Sequence, residues 1–498
     1  MKAASWDWKV PLLTDMHLKP LWPGFDYFPH QEVSVKWMLE KEKIGTPVAA
    51  VGSGSIKCIY GGLQCDDMGL GKTMQICGAM KNNVLGNTLI LVPLAMVQTW
   101  IDVLIKSCFN VFVPNISYGG KGFMKWTEYD SEGDVWIGAG NVYVCNYDKI
   151  LHNSELFMNV GKWQRIVLDE AHRIRNPKSI LAQEIMRLKA DVKWAVTGTP
   201  VINSLRDLCT LFHFLGITMG KNAVWNDALK ELIGQFLIHR PMSYVRGVID
   251  DAPPEAVVKK VVLPFLTPEE EEFYKGVQGV VEGRMSYYKK DIASVTSNIL
   301  IFILRLRQIS VHPLVYIESN YSSQSPRRKK WEGIASTKIV EAGRLVREEP
   351  GKYIIFCQFH REMELIEEYL REECGIEEGI YQYHGGLSAS ERVDVLRRAK
   401  GKECGILLLQ LHSGGVGLNL QEFNKIIFMG PWWTDALMNQ AIARAVRIGQ
   451  KEVVNVYHLF LGVEDDGVCK DIDTYMASVA SQKGEMLKKV FECRHVLE

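Results

Sequence analysis

The chain has 498 residues, of which 47% are hydrophobic and 23% charged, and this length allows two large domains or roughly three of average size. The composition excludes a disordered or collagen-like chain, and 58 basic against 58 acidic side chains exclude a highly basic wrapping protein, although not a local basic cleft. The longest apolar runs are far shorter than the ~18 residues that span a bilayer, and the N-terminus lacks the apolar run of a signal peptide. We therefore expect an intracellular protein without a membrane partner.

The eleven cysteines are dispersed along the chain and never show the spacing C-x-x-C. Zinc sites and disulfide frameworks both need closely patterned cysteines. We therefore expect no zinc, and we interpret the cysteines as small buried side chains in a reducing compartment.

Two regions alternate short apolar runs with longer amphipathic stretches, which is typical of buried parallel strands separated by helices. The predicted strands of the first region are 88–92, 141–145, 165–168 and 193–196, and those of the second are 353–356, 405–409, 425–429 and 455–460. Each region predicts an α/β lobe. The stretch between them, about 205 to 335, predicts a helical connector that ends in an exposed linker near 322–330.

The motif D-D-M-G-L-G-K-T at 66–73 precedes a helical run and is typical of a phosphate-binding loop. Its two glycines let backbone N–H groups approach phosphate oxygens, and the following helix N-terminus adds donors and a favourable dipole. Lys72 is predicted to contact the β and γ phosphates of a bound nucleotide, and Thr73 to ligate Mg²⁺. The strict motif G-x-x-x-x-G-K-[ST] has glycine where this chain has Asp66, so a glycine-rich turn capped by a threonine is the alternative.

The motif R-I-V-L-D-E-A-H at 165–172 places two carboxylates at the carboxyl end of a predicted buried strand, where open α/β sheets bind ligands. Asp169 is predicted to hold the magnesium shell and Glu170 to act as the general base for attack on the γ phosphate. The alternative is a helix N-terminus that favours acidic residues. His172 either couples the two lobes or is an ordinary, partly buried imidazole.

Two arginines in the second region have the spacing of one helix face. Arg444 and Arg447 lie three residues apart, and Gln440 precedes Arg444 by four. Arginines reaching the phosphates would stabilise the transferring phosphoryl group, an effect worth roughly 10³ to 10⁵ in rate. The alternative is a pair of solvated arginines on an amphipathic helix.

Seven motifs in order make the sequence resemble the Swi/Snf-type branch of the superfamily-two helicase-like ATPases. Besides the two motifs above they are T-G-T-P, L-R-L-R-Q-I-S-V-H-P, I-I-F-C-Q-F, S-G-G-V-G-L-N-L and Q-A-I-A-R-A-V-R-I-G-Q, and the resemblance covers residues 28 to 450. It implies two RecA-like parallel-sheet lobes of the P-loop NTPase type, helical protrusions, and ATP with Mg²⁺ between the lobes. It also implies binding to double-stranded DNA and translocation along it without routine strand separation.

Carried over residue by residue, the resemblance makes the segment 28–40 the adenine-reading segment. The implied nucleotide-binding residues are Gln31, Asp67, Met68, Gly69, Gly71, Lys72, Thr73, Gln440 and Gly417. The implied DNA-binding residues are Gln98, Trp100, Gln358, Ser413, Gly414 and Gly415, to which the basic run containing Arg327 and Arg328 adds two candidates. That run could instead be a solvated loop. Thr197 and Thr199 fall where the family couples hydrolysis to lobe movement.

Two positions depart from the family pattern. Gly430 stands where an aspartate usually precedes P-W-W, and Val446 stands where a histidine usually precedes the last arginine. These departures concern lobe docking or DNA coupling rather than ATP binding. The adjacent Trp432 and Trp433 either bridge the lobes or pack within one of them.

The sequence predicts an ATP-binding lobe at 1–245, a helical protrusion with linker at 246–335, and a second lobe with a helical extension at 336–498. The predicted function is a DNA-dependent ATPase that moves along duplex DNA and remodels protein–DNA complexes in chromatin, repair or transcription. A strand-separating helicase on DNA or RNA and a nucleotide-dependent DNA-binding scaffold are the alternatives. We expect a monomer with nucleosomes or other DNA-bound proteins as partners, in a nucleus or at a site of viral DNA replication or transcription.

Overall fold

The computed structural model describes residues 16–49, 56–115, 122–126, 140–160, 162–219, 224–249, 252–288, 292–321, 330–411, 418–462 and 471–493. The chain divides into two compact units. The first comprises Met1–Asp250 and Glu485–Glu498, and the second comprises Asp251–Gly484.

The first unit is built on a mostly parallel sheet. Its strands are β1 (Thr46–Ala49), β2 (Ile56–Gln64), β3 (Thr88–Val92), β4 (Asn110–Asn115), β5 (Gly122–Lys125), β6 (Asn141–Asn146), β7 (Trp163–Asp169), β8 (Ala190–Val196) and β9 (Leu237–Ile238). They lie in the order β1-β2-β8-β7-β3-β6-β4-β5, with β9 beside β2. Among these described strands, β1 with β2 and β4 with β5 pair antiparallel, and the other pairs are parallel.

Helices connect these strands and cover the sheet. They are α1 (Pro29–Lys43), α2 (Lys72–Asn82), α3 (Val97–Lys106), α4 (Tyr147–Asn159), α5 (Ile180–Arg187), α6 (Leu205–Leu215), α7 (Asp227–Phe236) and α8 (Met242–Arg246). Strand β3 is buried along its whole length. Leu89 and Leu91 join one apolar cluster, and Ile90 and Val92 join another. Because alternate residues of a strand face opposite sides, helices on both faces require the unbroken apolar run seen in the sequence.

A buried ion pair joins helix α1 to the centre of this sheet. Arg165 of β7 donates to both carboxylate oxygens of Glu42, with 2.7 Å from Nε to Oε1, and the two side chains are 2% and 0% exposed. The indole N–H of Trp194 in β8 donates to the same carboxylate at 2.8 Å. A buried charge needs such partners to offset its desolvation.

The second unit has a six-stranded sheet in the described residues, and each of its pairs is parallel. The strands are β10 (Val257–Leu263), β11 (Tyr353–Cys357), β12 (Ile380–Tyr383), β13 (Ile406–Gln410), β14 (Lys425–Phe428) and β15 (Asn455–Leu461), in the order β10-β15-β14-β11-β13-β12. The helices are α9 (Pro268–Tyr288), α10 (Ile292–Val311), α11 (Pro313–Asn320), α12 (Thr337–Glu348), α13 (His360–Glu372), α14 (Ala389–Gly401) and α15 (Asp435–Ile442). Ile355 packs on one face of the sheet, and Ile354 and Phe356 pack on the other.

The last helix, α16 (Ile472–Glu492), belongs to both units. Met476 lies in an apolar cluster of the second unit. Val490 is completely buried in the core of the first unit, with Phe491 packed against the same core.

The predicted α/β class with two parallel-sheet lobes is confirmed, because each of the eight predicted strands overlaps an observed one. The helical middle is present as α6 to α11, although two strands interrupt it: β9 joins the first sheet beside β2, and β10 joins the edge of the second sheet. The division at 245 and 335 stays a prediction. Within the described ranges, no helix has the length and apolarity needed to cross a membrane.

Candidate active site

The loop between β2 and α2 has the backbone of a phosphate-binding turn. Gly69 and Gly71 adopt φ values of 88° and 78°, a region that side-chain-bearing residues rarely enter. A side chain at position 71 would be strained at this φ, and its Cβ would lie 2.4 Å from Nε2 of Gln31 and displace it. Gln31 is 4% exposed and donates to the Leu70 carbonyl at 3.3 Å. The structure therefore brings the predicted adenine-contacting residue against the predicted phosphate loop.

Helix α2 presents a free N-terminus beyond this loop. Gly71 is its N-cap, no side chain caps the first turn, and that turn holds no acidic residue. The first N–H groups of a helix lack intrahelical partners and attract anions. The Lys72 ammonium donates to the backbone carbonyls of Asp66 at 2.7 Å and Asp67 at 3.2 Å, and Thr73 is half-buried beside it. The glycine cradle and these donors fit a bound phosphate group.

Asp66, the departure from the strict motif, is the centre of a buried polar network. Its side chain is fully buried. One carboxylate oxygen accepts the Arg240 backbone N–H at 2.8 Å. The other accepts the side-chain amides of Gln64 at 3.0 Å and Gln75 at 3.1 Å and, more weakly, the Ser34 hydroxyl at 3.4 Å. The carboxylate thereby connects Gln64 at the end of β2 to Gln75 in α2, and so holds both ends of the loop. The sequence motifs did not predict this role.

The next two residues extend the contacts of the loop. The Asp67 carboxylate lies 3.2 Å from Nε2 of His239 and accepts the Met242 N–H at 2.8 Å. Burial would raise the pKa of Asp67, but these two hydrogen bonds, together with the nearby charges of His239 and Lys72, hold the pKa below its usual value. Phe491 stacks on the His239 ring with centroids 3.5 Å apart. Met68 packs toward the T-G-T-P segment, where a Cβ on Gly198 would lie 3.4 Å from its side chain.

Asp169 and Glu170 close strand β7 and begin the turn that follows it. One carboxylate oxygen of Asp169 accepts the indole N–H of Trp100 at 2.8 Å, and the other accepts the Glu170 N–H at 3.0 Å. Burial, and then the neighbouring Glu170 carboxylate, raise the pKa of Asp169, while the hydrogen bond from Trp100 opposes the rise. Glu170 adopts the left-handed region with φ 52°. Carboxylate and hydroxyl oxygens are the ligands that Mg²⁺ prefers, so Asp169 and Thr73 fit a magnesium site.

His172 connects this turn to the T-G-T-P segment. Its Nδ1 lies 3.1 Å from the Thr197 hydroxyl and 3.5 Å from that of Thr199, and 3.4 Å from a carboxylate oxygen of Glu170. Burial, followed by the charges of nearby arginines, lowers the pKa of His172 to about 3. The ring is therefore neutral at physiological pH and acts as a hydrogen-bonding link within the first unit.

In the second unit, the expectation that Arg444 and Arg447 extend a helix from Gln440 is wrong. Helix α15 ends at Ile442. The chain continues in tight turns, and the Arg444 carbonyl accepts the Leu420 N–H at 3.0 Å instead of a helical donor. The two arginines are still neighbours, since burial and then the charge of Arg444 lower the pKa of Arg447. Gln440 and Arg444 are buried, at 5% and 8% exposure.

Gln358 lies in a polar cluster beside the tryptophan pair. Its side-chain carbonyl accepts a hydrogen bond from Arg307, and its amide donates to the Pro431 carbonyl at 3.4 Å. The guanidinium carbon of Arg307 lies 4.5 Å from the ring centre of Trp432 and 5.9 Å from that of Trp433. Burial lowers the pKa of Arg307 to about 10. The motif L-R-L-R-Q therefore supplies a cation that packs within the second unit.

Apart from Gln358, the predicted DNA-contacting residues divide into three groups. Gln98 is exposed on α3 and donates to Asp102 at 2.7 Å, so its surface is accessible. Trp100 is completely buried, and its indole donates to the Asp169 carboxylate. The expectation that its side chain contacts DNA is therefore wrong. The predicted DNA-binding residues Ser413, Gly414, Gly415, Arg327 and Arg328, and the predicted nucleotide-binding residue Gly417, lie outside the described residues.

Comparison with known proteins decides the family. A model of the SNF2-related domain matches residues 30–315, and a model of the helicase conserved C-terminal domain matches residues 337–449. The chain belongs to the SNF2-related family. It is a helicase-like ATPase of that family, as the resemblance predicted.

Relatives of this SNF2-related ATPase come from viruses, bacteria and eukaryotes. It is 26% identical over 93% of its length to the "Probable global transactivator" of Orgyia pseudotsugata multicapsid polyhedrosis virus, covering 91% of that protein. It is 27% identical over 92% of its length to an "Uncharacterized ATP-dependent helicase" of Mycoplasma pneumoniae and spans 42% of that protein. A solved Sulfolobus solfataricus SWI2/SNF2 ATPase core in complex with dsDNA is 24% identical, with 95% of this chain and 99% of that chain covered and a TM-score of 0.38.

The two departures from the SNF2-related pattern have structural explanations. A Cβ at Gly430 would lie 3.3 Å from the Lys338 ammonium and 3.7 Å from the Asp473 carboxylate. Lys338 and Asp473 form a buried ion pair at 2.6 Å, which occupies the space beside Gly430. Val446 is 7% exposed and packs in an apolar cluster. An apolar side chain suits that position, whereas a histidine there would be desolvated.

Proposed function

We propose that this SNF2-related ATPase couples ATP hydrolysis to movement along double-stranded DNA and to the remodelling of protein–DNA complexes. The observation that carries the proposal is the common edge of the first sheet. Strands β2 and β7 flank β8 and run parallel to it, so their carboxyl ends bring the phosphate loop and the Asp169–Glu170 pair to the same edge. Ligands of open α/β sheets bind at such an edge.

The predicted site residues have distinct roles in this proposal. Lys72 and the N–H groups that begin α2 bind the phosphates, and Gln31 contacts the adenine. Mg²⁺, when bound, would neutralise charge on the phosphate oxygens, with Thr73 and Asp169 holding it. Glu170 accepts the proton of the attacking water, and its position at the strand end favours this role. We propose Arg444 and Arg447 as the cations that stabilise the transferring phosphoryl group.

DNA as the partner is supported by the family and by the names of the relatives. The human relative that is 27% identical over 86% of this chain is named a SWI/SNF-related regulator of chromatin, and this chain spans 42% of it. The Bacillus subtilis relative, 26% identical over 86% of this chain, is named a putative ATP-dependent helicase/translocase, and this chain spans 46% of it. We propose Gln98 and Gln358 as backbone-contacting residues of a monomeric motor whose binding is salt-dependent and largely independent of sequence.

The virus-encoded relative is named a probable global transactivator, which supports a place of action where DNA is transcribed. We propose that the protein acts in a nucleus or at a site of viral DNA replication or transcription, with nucleosomes or other DNA-bound proteins as the complexes it remodels. Fluorescent tagging in cells should show the protein concentrated with DNA. An even distribution would contradict this part of the proposal.

The test is steady-state ATP hydrolysis with no nucleic acid, duplex DNA, single-stranded DNA or RNA. We expect strong stimulation by duplex that is lost in Glu170→Gln and retained in Glu184→Gln, where Glu184 is a partly exposed carboxylate paired with Arg187. Displacement of a third strand from a triplex would then report translocation. Better stimulation by single strands together with unwinding of a tailed duplex would favour a strand-separating helicase, and stimulation by no nucleic acid would favour a scaffold.

A further inference from the structure

Trp100 donates a hydrogen bond to the carboxylate of Asp169, the proposed magnesium ligand, although the two residues are distant in the chain. It lies in helix α3, 69 residues before Asp169, and it is 0% exposed. Its indole Nε1 donates to Oδ2 of Asp169 at 2.8 Å. The side chain therefore reaches the active site from the protein interior, on the side away from solvent.

The other contacts of Asp169 make this hydrogen bond decisive for the orientation of the carboxylate. The Glu170 N–H holds Oδ1 at 3.0 Å, and the Tyr147 hydroxyl donates to the Asp169 backbone carbonyl at 2.6 Å. The Asp169 backbone is thus held by Tyr147 of α4, and one of its carboxylate oxygens is held by Glu170 in the turn. The remaining rotation of the carboxylate is fixed by the indole.

The chemistry of an indole suits this place. Its N–H is a donor only, it does not titrate, and it carries no charge that would repel a cation. A lysine or arginine donor would compete electrostatically with Mg²⁺, and a histidine would change its charge with pH. Partners that orient a metal-binding group are worth about 10- to 100-fold in metal affinity.

We propose that Trp100 is a positioning residue for the magnesium site, whose indole N–H holds the Asp169 carboxylate in the orientation that receives the cation. The proposal rests on the proposed function, because it takes Asp169 as a metal ligand. It assigns to α3 a role in nucleotide hydrolysis.

The test is binding of Mn²⁺, as a probe for Mg²⁺, in the presence of ADP, measured from the free-ion electron paramagnetic resonance signal. Trp100→Phe keeps most of the packing and removes the donor. The matched control is Trp194→Phe, because Trp194 is equally buried and its indole also donates to a buried carboxylate, Glu42, at 2.8 Å. We expect the Kd for Mn²⁺ to rise about 10-fold in Trp100→Phe and to stay unchanged in Trp194→Phe.

Incorporation of benzothienylalanine at position 100 is the second variant, since it replaces the N–H by sulfur with little change of shape and therefore preserves folding. It should weaken Mn²⁺ as Trp100→Phe does. Wild-type affinity in this variant, or an equal loss in Trp194→Phe, would overturn the role of Trp100. Absence of Mn²⁺ binding to the wild-type protein with ADP would instead refute the proposed magnesium site itself.

Discussion

Substituting Asp66 by glycine would give the phosphate loop the strict motif G-x-x-x-x-G-K-T, yet we expect it to damage the protein. The carboxylate accepts the Arg240 N–H and the amides of Gln64 and Gln75 at 2.8, 3.0 and 3.1 Å. Each buried donor left without an acceptor costs about 1–3 kcal/mol. Partial re-pairing of the two glutamines leaves an expected loss of about 3–5 kcal/mol in the free energy of unfolding.

Urea unfolding followed by tryptophan fluorescence measures this loss, with ATP hydrolysis assayed below the transition. Asp227→Gly is the control, because the Asp227 side chain is 98% exposed and pairs only with Lys230 among the described residues. The control should unfold close to the wild-type midpoint. The reasoning would be refuted if Asp66→Gly matched the control in stability and hydrolysed ATP as fast as the wild type.

Three further predictions concern other buried groups. Burial raises the pKa of Glu362 from 4.5 to about 7, so the folded protein keeps a proton that the unfolded chain loses, and stability should fall by about 3 kcal/mol as pH rises from 4.5 to 7. Urea titrations across this range should show the slope in the wild type and a flatter profile in Glu362→Gln. Glu42→Ala leaves the buried Arg165 charge unpaired and should cost about 3–5 kcal/mol in the same assay, whereas a loss below about 1 kcal/mol would contradict the buried pair. Phe491→Ala removes the stack on His239 and should lower stability by about 2 kcal/mol, seen as a fall of several degrees in Tm; an unchanged Tm would show that this contact adds nothing.

Local signals allowed the phosphate loop to be predicted from the sequence. The loop depends only on the backbone conformation of a few neighbouring residues: Gly69, Gly71 and the start of the helix at Lys72. Its glycines are visible in the sequence and permit φ values that other residues avoid. The buried strands could be predicted for a similar reason, since a strand covered on both faces must be apolar throughout.

The partners around the loop could not be predicted because they are distant in the chain. Asp66 and Arg240, which are hydrogen-bonded, are separated by 174 positions in the sequence, and Trp100 and Asp169 by 69. Only the folded chain brings such groups within hydrogen-bonding distance. A motif that suggested a surface role for Trp100 therefore gave no indication that its side chain points into the core.

The segment after Ile442 was mispredicted because tertiary contacts override helix propensity there. Its alanines and arginines favour a helix, but the Arg444 carbonyl accepts a hydrogen bond from the Leu420 N–H, and Gly449 adopts a left-handed φ of 99°. The side chain of Gln450 donates to the Gln421 carbonyl at 2.7 Å. These bonds hold the segment in turns.

Helix α16 has a consequence for how the protein is made. Val490 is part of the core of the first unit, but the whole of the second unit, Asp251–Gly484, is synthesised before it. When the ribosome has completed residue 250, the core of the first unit is therefore still incomplete, and it can be completed only after Val490 has been synthesised. Folding of the two units is thereby tied to one order of events.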